Sequence, residues 1–423
     1  MKILIISRTP WNNSNSFGNT FTNLFGGMEG IDIFNICCQS GSTTNDVVKE
    51  TLQLSEHFLL HSSNINARNN STRPETTRMD QMQELGKKKR SAWLFFARDM
   101  IWKLTAFKWK KIIGDFITKV NPDIVYLPIY ASLYMCDIDN YVIKQLNVPV
   151  VGHISDDVYG HSPDASRLSL AHYYRYLLRK KIRFIIRRCS YLEVFAENMK
   201  EEYEKEFGKP CYLIGKGVIA DNVQKPKVNK WEGDVHFVYT GGIGGERFST
   251  LIALAHSLER YNTSKRCYLD IYTATSLSDN DKKMMMGVKS IIFHGAISGD
   301  DVKEVQANAD CLVHVEGFSP QTIFETRMSF STKIIDYLST GNLMLAIGSE
   351  KINSINVLSN NNMAVVINHL EELDSMVVNL LNGNIDREMI QNCAYNYLIQ
   401  ERNIDNIQKD ILLRMKAINR TDN

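Results

Sequence analysis

The sequence predicts an α/β protein of two doubly wound domains facing each other across a cleft. Three observations predict it. Continuous apolar runs of strand length, such as KILIIS at 2–7 and PDIVYLPIY at 122–130, read as strands buried on both faces of a parallel sheet. Helix-like runs alternate with them. The same alternation restarts after the polar, aperiodic stretch ADNVQKPKVNKWEGD at 220–234. At 423 residues the chain is too long for one ordinary domain. The expected division is a first domain at 1–219, a linker at 220–234, a second domain at 235–383, and C-terminal helices at 384–423 packing back towards the first domain.

In the first half, KILIIS is followed by a polar loop, the helix-like TFTNLFGGM and the strand GIDIFNICC. Gly18 lies in that loop. Without a GxGxxG pattern it is not read as a dinucleotide site; it is kept as a candidate nucleotide contact of the first domain. Residues 61–80 are rich in Asn, Ser and Thr and read as a loop.

Residues 87–116 carry nine Lys/Arg against Asp99 and Asp115, interleaved with Trp93, Phe95, Phe96, Trp102, Phe107 and Trp109. Two readings stand: a helix lying in an anionic membrane interface, or aromatics facing the core beneath an ordinary solvated lysine face. A second basic run at 166–192 carries eight Lys/Arg and no acid. It suits anionic lipid or a phosphate-bearing acceptor, or else a basic helix packed by its Leu, Ile and Tyr face. Between these runs, VPVVGHISDD at 148–157 reads as a strand and its exit loop, with His153, Asp156 and Asp157 as candidates. Alternation puts His153 and Asp157 on one face and Asp156 on the other.

In the second half, VHFVYTGG is a strand with a glycine-rich exit. CYLDIYTAT, KSIIFHGAI and ADCLVHVEG are further strands with helices between them. The stretch 316–348 organises this half. Ser329, Ser331 and Thr332 are helix-capping types ahead of KIIDYLST, and Gly341 ends that helix before LMLAI. A helix start offers free N–H groups and partial positive charge, and Lys333 adds a full one. Asp336 follows one turn later. A cation at the phosphates and a carboxylate for ribose hydroxyls suit a nucleotide diphosphate; common helix caps with a Lys and an Asp nearby are the bland alternative.

The net charge of +2 does not suggest nucleic acid as a partner. Eight scattered cysteines without CxxC or Cys/His spacing suggest a reducing compartment and no metal. The start MKILIIS lacks the pattern of a signal peptide, and no apolar run of about 18 residues offers a membrane span. The expected location is the cytoplasm, peripheral on the inner face of the cell membrane.

Two such Rossmann-like domains with a nucleotide site in the second resemble the GT-B glycosyltransferases, and most sharply the retaining enzymes that build bacterial polysaccharides and glycolipids. YTGGIGGERFSTL is similar to the family's first motif, a Gly-Arg pair followed five residues on by a Lys, both cations touching the donor diphosphate. Gly241 holds the glycine position and Arg247 stands at the lysine. Gly242 stands where the arginine would be, a departure that removes one phosphate contact. ADCLVHVEGF is similar to the strand carrying the family's first glutamate, at Glu316. FSTKIIDYLSTG is similar to its lysine-bearing helix, with Asp336 as the ribose-binding carboxylate. Glu316 and Asp336 are twenty apart, where the family spaces its two glutamates eight apart. Either Glu316 keeps its role or Glu325 or Arg327 has taken part of it. VPVVGHISDD resembles the strand that ends in the family's catalytic-region histidine. Residue type favours His153; the count from the proline favours Ser155, with Asp156 next.

The resemblance implies transfer of a sugar, with retention, from a UDP- or GDP-sugar to a polysaccharide or lipid-linked acceptor at the membrane surface, with no cofactor. It assigns catalysis to Arg247, Lys333 and Glu316 with His153, Asp156 or Asp157. Donor binding falls to Gly241, Gly242, Ser331, Thr332 and Asp336, and the base to the strand exits at Thr273, His294 and Gly295. A nucleotide-sugar 2-epimerase of the same layout and a non-catalytic scaffold of a polysaccharide assembly complex are the alternatives. Gly242 and the stretched glutamate spacing favour the scaffold.

Overall fold

The computed structural model describes residues 1–13, 15–61, 92–160, 170–228, 231, 233–261 and 266–421. The expected loop at 61–80 and the lysines at 87–89 therefore lie almost wholly outside the described residues, as do the side chains of Trp93 and Phe95. The chain forms two compact units, Met1–Ile214 with the residues from Ile407 onward, and Gly215–Asn406. The division thus falls at Ile214/Gly215. The stretch that reads as a linker packs on the second unit: Val223 is buried there, and the Gln224 and Lys227 N–H groups donate to the Ser339 and Gly341 carbonyls.

The first unit is built on a parallel sheet of seven strands. They are β1 (Lys2–Ser7), β2 (Asp32–Cys37), β3 (Val48–Gln53), β4 (Ile124–Pro128), β5 (Val150–Ile154), β6 (Tyr191–Val194) and β7 (Cys211–Leu213), in the order β3-β2-β1-β4-β5-β6-β7. The helices are α1 (Ser16–Phe25), α2 (Glu56–His61), α3 (Ala92–Leu104), α4 (Ala106–Val120), α5 (Leu133–Gln145), α6 (Leu170–Arg188) and α7 (Glu197–Phe207). β1 is buried from Ile3 to Ser7 because β2 and β4 flank it and helices cover both faces.

The second unit holds β8 (Val235–Thr240), β9 (Cys267–Tyr272), β10 (Ile291–Gly295), β11 (Cys311–Val315), β12 (Leu343–Ile347) and β13 (Val365–Ile367), ordered β10-β9-β8-β11-β12-β13. All pair in parallel. Its helices are α8 (Arg247–Tyr261), α9 (Asp279–Met285), α10 (Gly299–Ala307), α11 (Pro320–Thr326), α12 (Thr332–Ser339), α13 (Asn353–Asn360), α14 (Leu373–Leu381) and α15 (Arg387–Glu401). Strand alternation divides the core. Phe237, Tyr239, Val313 and Leu345 pack with Leu251, Leu254 and Leu258 of α8. Val238, Leu312 and Ala346 face Ile334 and Leu338 of α12 and Leu398 of α15.

The last helix, α16 (Ile404–Thr421), begins in the second unit and continues into the first. α15 stays with the second unit, so packing against the first begins only at α16. There Ile411 and Met415 join the core of Ile3, Ile5 and Trp11, and Gln408 donates to the Gly26 carbonyl at 2.8 Å.

In both sheets the strand order reverses direction beside the first strand, between β1 and β4 and between β8 and β11. The carboxyl ends flanking such a switch point are where open α/β sheets bind ligands.

Candidate functional site

At the switch point of the second unit, β8 ends at Thr240 and β11 at Val315. Glu316 follows directly, buried, with its N–H donated to the Ile347 carbonyl at 2.9 Å. The loop after β8 turns through Gly241, with φ +136, and Gly245, with φ +65, and delivers Arg247 as the first residue of α8. Arg247 and Glu316 form a two-point pair, Nε to Oε2 and Nη2 to Oε1, each 3.0 Å. Burial works against the guanidinium charge, but the Glu316 carboxylate outweighs it and holds the pKa above the ordinary arginine value.

Lys333, in the first turn of α12, reaches back to donate to the Thr240 carbonyl at 3.0 Å and lies 5.2 Å from the Tyr239 ring centre. Burial pushes its pKa down to about 8, with Arg247 adding to the push and Glu316 opposing it. Tyr337, one turn further on, accepts from the Thr240 N–H at 2.9 Å, and Gln306 donates to Thr240 Oγ1 at 2.8 Å. The strand end under the ammonium is thereby held on several sides. His314 is driven down to about 3 by burial first and then by Lys333 and Arg247, so it is neutral at pH 7. Its Nε2 sits 3.7 Å from Glu316 Oε1 and 3.3 Å from Ser354 Oγ.

Arg247, Glu316, Lys333, His314, Tyr239 and Ser331 line one cavity of about 40 Å³. Two cations against one carboxylate leave it net positive. Glu316 engages two of the five N–H donors of Arg247, and the Thr240 carbonyl one of the three of Lys333, so donors remain for an anion. Ser331 caps α12 without a side-chain capping bond; the Ile334 N–H donates to the Ser331 carbonyl at 3.0 Å, while the N–H groups of Thr332 and Lys333 come ahead of the first intrahelical acceptor. A helix start is worth about 0.5 kcal/mol to an anion and a charged hydrogen bond about 2 kcal/mol, so Lys333 dominates the pair.

Asp336 faces a different partner, an ion pair with Lys216. Gly242 gives its carbonyl to Tyr239 Oη at 2.5 Å, and a side chain there would meet Thr275 Oγ1 at 3.7 Å. At the exits of β9 and β10, the Thr273 N–H donates to the Gly295 carbonyl at 2.7 Å, and Gly295 turns with φ +76. His294 stacks on Tyr272 at 4.2 Å and meets Asp270 Oδ1 at 2.6 Å, while His236 meets Oδ2 of the same carboxylate at 2.7 Å.

The stretched spacing before α12 is a short helix, α11, with the buried loop at Gly317 held by Glu246, which accepts from the Ser319 N–H at 3.1 Å. Glu325 pairs with Gln321 on that helix. Arg327 donates to the Phe324 carbonyl at 2.8 Å and stacks on the Phe324 ring. Neither lines the cavity.

In the first unit, His153 is buried on β5 among Phe21, Tyr126 and Phe195. Burial lowers its pKa to about 3. Tyr126 donates to Glu193 Oε2 at 2.6 Å, so the 2.8 Å contact of its hydroxyl with His153 Nδ1 makes that nitrogen the N–H donor. Arg414 of α16 donates to Glu193 Oε1 at 3.1 Å and closes this chain. Asp157 accepts from the Tyr159 and Gly160 N–H groups and from Tyr203 Oη, at 3.1, 2.7 and 3.1 Å. It shapes its own loop, and Asp156 beside it is exposed. Gly18 lies inside α1, where a side-chain carbon would fall 2.1 Å from the Asn12 carbonyl oxygen; that packing requires the glycine.

Residue patterns alone did not single out Tyr239, His314, Tyr337 or Lys216. Two of them carried a usable signal. His314 stands two before Glu316 on a strand, and Tyr337 four after Lys333 on a helix, each spacing putting a pair on one side.

No protein-family model matches the chain, and no curated protein sequence does. Solved structures do. Sucrose-phosphate synthase from Thermosynechococcus elongatus is similar with TM-score 0.63 and 10% identity, covering 99% of each chain. Anabaena HepE in complex with UDP is similar with TM-score 0.63 and 10% identity, covering 99% of this chain and 100% of that one. WaaG, a glycosyltransferase involved in lipopolysaccharide biosynthesis, is similar with TM-score 0.56 and 10% identity over 99% of each. At these identities the likeness is one of architecture, and it spans the chain: this protein has the GT-B fold.

Proposed function

We propose that the protein is a glycosyltransferase that moves a sugar, with retention, from a nucleotide-diphosphate sugar to a polysaccharide or lipid-linked acceptor. The observation that carries the reading is the cavity in which Lys333 and Arg247 converge at the switch point of the second sheet. Departure of the nucleoside diphosphate develops negative charge on its outer phosphate. Lys333, the unused N–H groups of Arg247 and the start of α12 are placed to stabilise it. Glu316 holds Arg247 in position, and neutral His314 adds no competing charge. Asp336, once released from Lys216, accepts from the ribose, and the backbone at Thr273 and Gly295 takes the base. The complexes of similar proteins with UDP and with UDP-2-fluoro glucose support UDP as the first donor to test, with GDP next.

The acceptor side falls to the first unit, with Asp156 at an exposed strand end as its sugar-orienting carboxylate. The exposed basic faces of α4 and α6 suit an anionic membrane surface. Among the described residues no helix is long and apolar enough to cross a membrane.

Screening UDP, GDP and their sugars for a rise in melting temperature, then analysing products with the stabilising donor, tests the reading. Stabilisation by one family of donors and donor turnover support it; no stabilisation by any of them contradicts it. The two-point pairing of Arg247 with Glu316, which partly offsets the positive charge of the cavity, favours one competitor, a donor-binding relative without catalysis. Donor binding without turnover in the presence of membrane-derived acceptors would select it.

A further inference from the structure

In the first unit, a cavity of about 310 Å³ opens between α3, α4 and α5. Trp102, Trp109, Tyr134 and Tyr141 wall it. Trp102 stacks on Tyr134 at 4.8 Å and Trp109 meets Tyr141 edge-on at 5.6 Å, so the walls are stiff. Lys103, Lys110 and Lys144 converge on it from three helices and make no ion pair among the described residues. The carboxylate in the lining, Asp137, is taken by Lys181 of α6. Asn140 Oδ1 also belongs to the lining residues and is screened from solvent without a hydrogen-bond partner among the described residues. Beside Lys103 and Ala106 stand Leu104 and Phe107, 70% and 75% exposed.

We infer that this pocket seats the anionic headgroup of a membrane phospholipid. The three ammonium groups meet its phosphate, and Leu104 and Phe107 enter the acyl layer. A soluble anion would account for the lysines, but not for two large apolar side chains held out in water next to them. The aromatics of the basic stretch thus divide. Trp102 and Trp109 build the pocket from within, and Phe107 faces outward. The inference rests on the membrane part of the proposed function and is independent of the donor cavity in the other unit.

Sedimentation of the full chain with phosphatidylcholine vesicles, with and without phosphatidylglycerol, tests it. The wild type is expected to bind only the anionic vesicles. The triple variant Lys103→Gln/Lys110→Gln/Lys144→Gln and the double variant Leu104→Ser/Phe107→Ser, with unchanged melting temperatures, are each expected to lose at least about tenfold in partitioning. Soluble glycerol phosphate is expected not to displace the protein. Absence of wild-type binding to anionic vesicles overturns the membrane reading and the pocket with it. Equal binding by the triple variant leaves the membrane reading standing and overturns the pocket. Displacement by glycerol phosphate, with the double variant binding as well as the wild type, overturns the lipid in favour of a soluble anion.

Discussion

The Lys333 ammonium lies directly over Gly241: a methyl carbon on that glycine would fall 2.0 Å from Nζ. A side chain at residue 241 would therefore push the ammonium away from the strand end at Thr240. The φ of +136 at Gly241 also disfavours any other residue. Gly241→Ala should displace the ammonium and weaken nucleoside diphosphate binding by about tenfold or more, the loss of one charged hydrogen bond. Titration calorimetry checks this, and unchanged affinity would detach Gly241 from the site.

Lys333, with its pKa pushed down to about 8, should make donor binding depend on pH. Its charged form is the one that meets a phosphate. Affinity should hold up to about pH 7 and fall roughly tenfold by pH 9, since the charged fraction falls by that factor. Lys333→Arg keeps its charge throughout and should flatten the profile. The sign for stability is opposite. The unfolded chain holds this proton to higher pH than the folded one, so the contribution of Lys333 to stability of the ligand-free protein rises between about pH 8 and the ordinary lysine range.

Glu316 is almost wholly buried and its charge is met by Arg247. Arg247→Ala should destabilise the second unit by about 3 kcal/mol, because it strands a buried carboxylate. Arg247→Ala/Glu316→Gln should recover most of that loss while leaving donor binding weak. Urea unfolding separates the two effects. A double variant no more stable than the single one would mean that the stranded charge is not the cause.

In the first unit, Asp139 is fully buried on α5, and neither carboxylate oxygen has a hydrogen-bond partner among the described residues. Burial raises its pKa well above the usual carboxylate range, and Asp137 adds to the rise. The folded protein therefore binds this proton more tightly than the unfolded chain, and stability falls as pH climbs from the unfolded carboxylate value towards the raised one. Asp139→Asn should melt a few degrees above the wild type at pH 8, with the gap closing towards pH 4. A gap of equal size at both ends would exclude protonation as its origin.

The alternation of buried strands and amphipathic helices was legible in the sequence because a parallel sheet covered on both faces writes itself as unbroken apolar runs, as in KILIIS and LMLAI. Lys333 was legible from the helix start that it opens, and Arg247 only from the resemblance of YTGGIGGERFSTL to a family motif. Other parts of the sites were hidden. That Lys216 pairs with Asp336 depends on residues 120 positions apart meeting. His153 ends a strand as a catalytic histidine would; only the surrounding Tyr126, Glu193 and Arg414, from three distant segments, reveal a buried relay tying α16 to the sheet. Trp102 and Phe107 share one basic aromatic run, and their opposite burial is set by tertiary packing that periodicity does not encode.

The most direct measurement is calorimetric titration of UDP and GDP into the wild type and Lys333→Ala at pH 7. The account predicts that the wild type binds one of them and that the variant, equally folded, loses at least about tenfold in affinity. Equal binding by both proteins, or no binding of either nucleotide by the wild type, would contradict it.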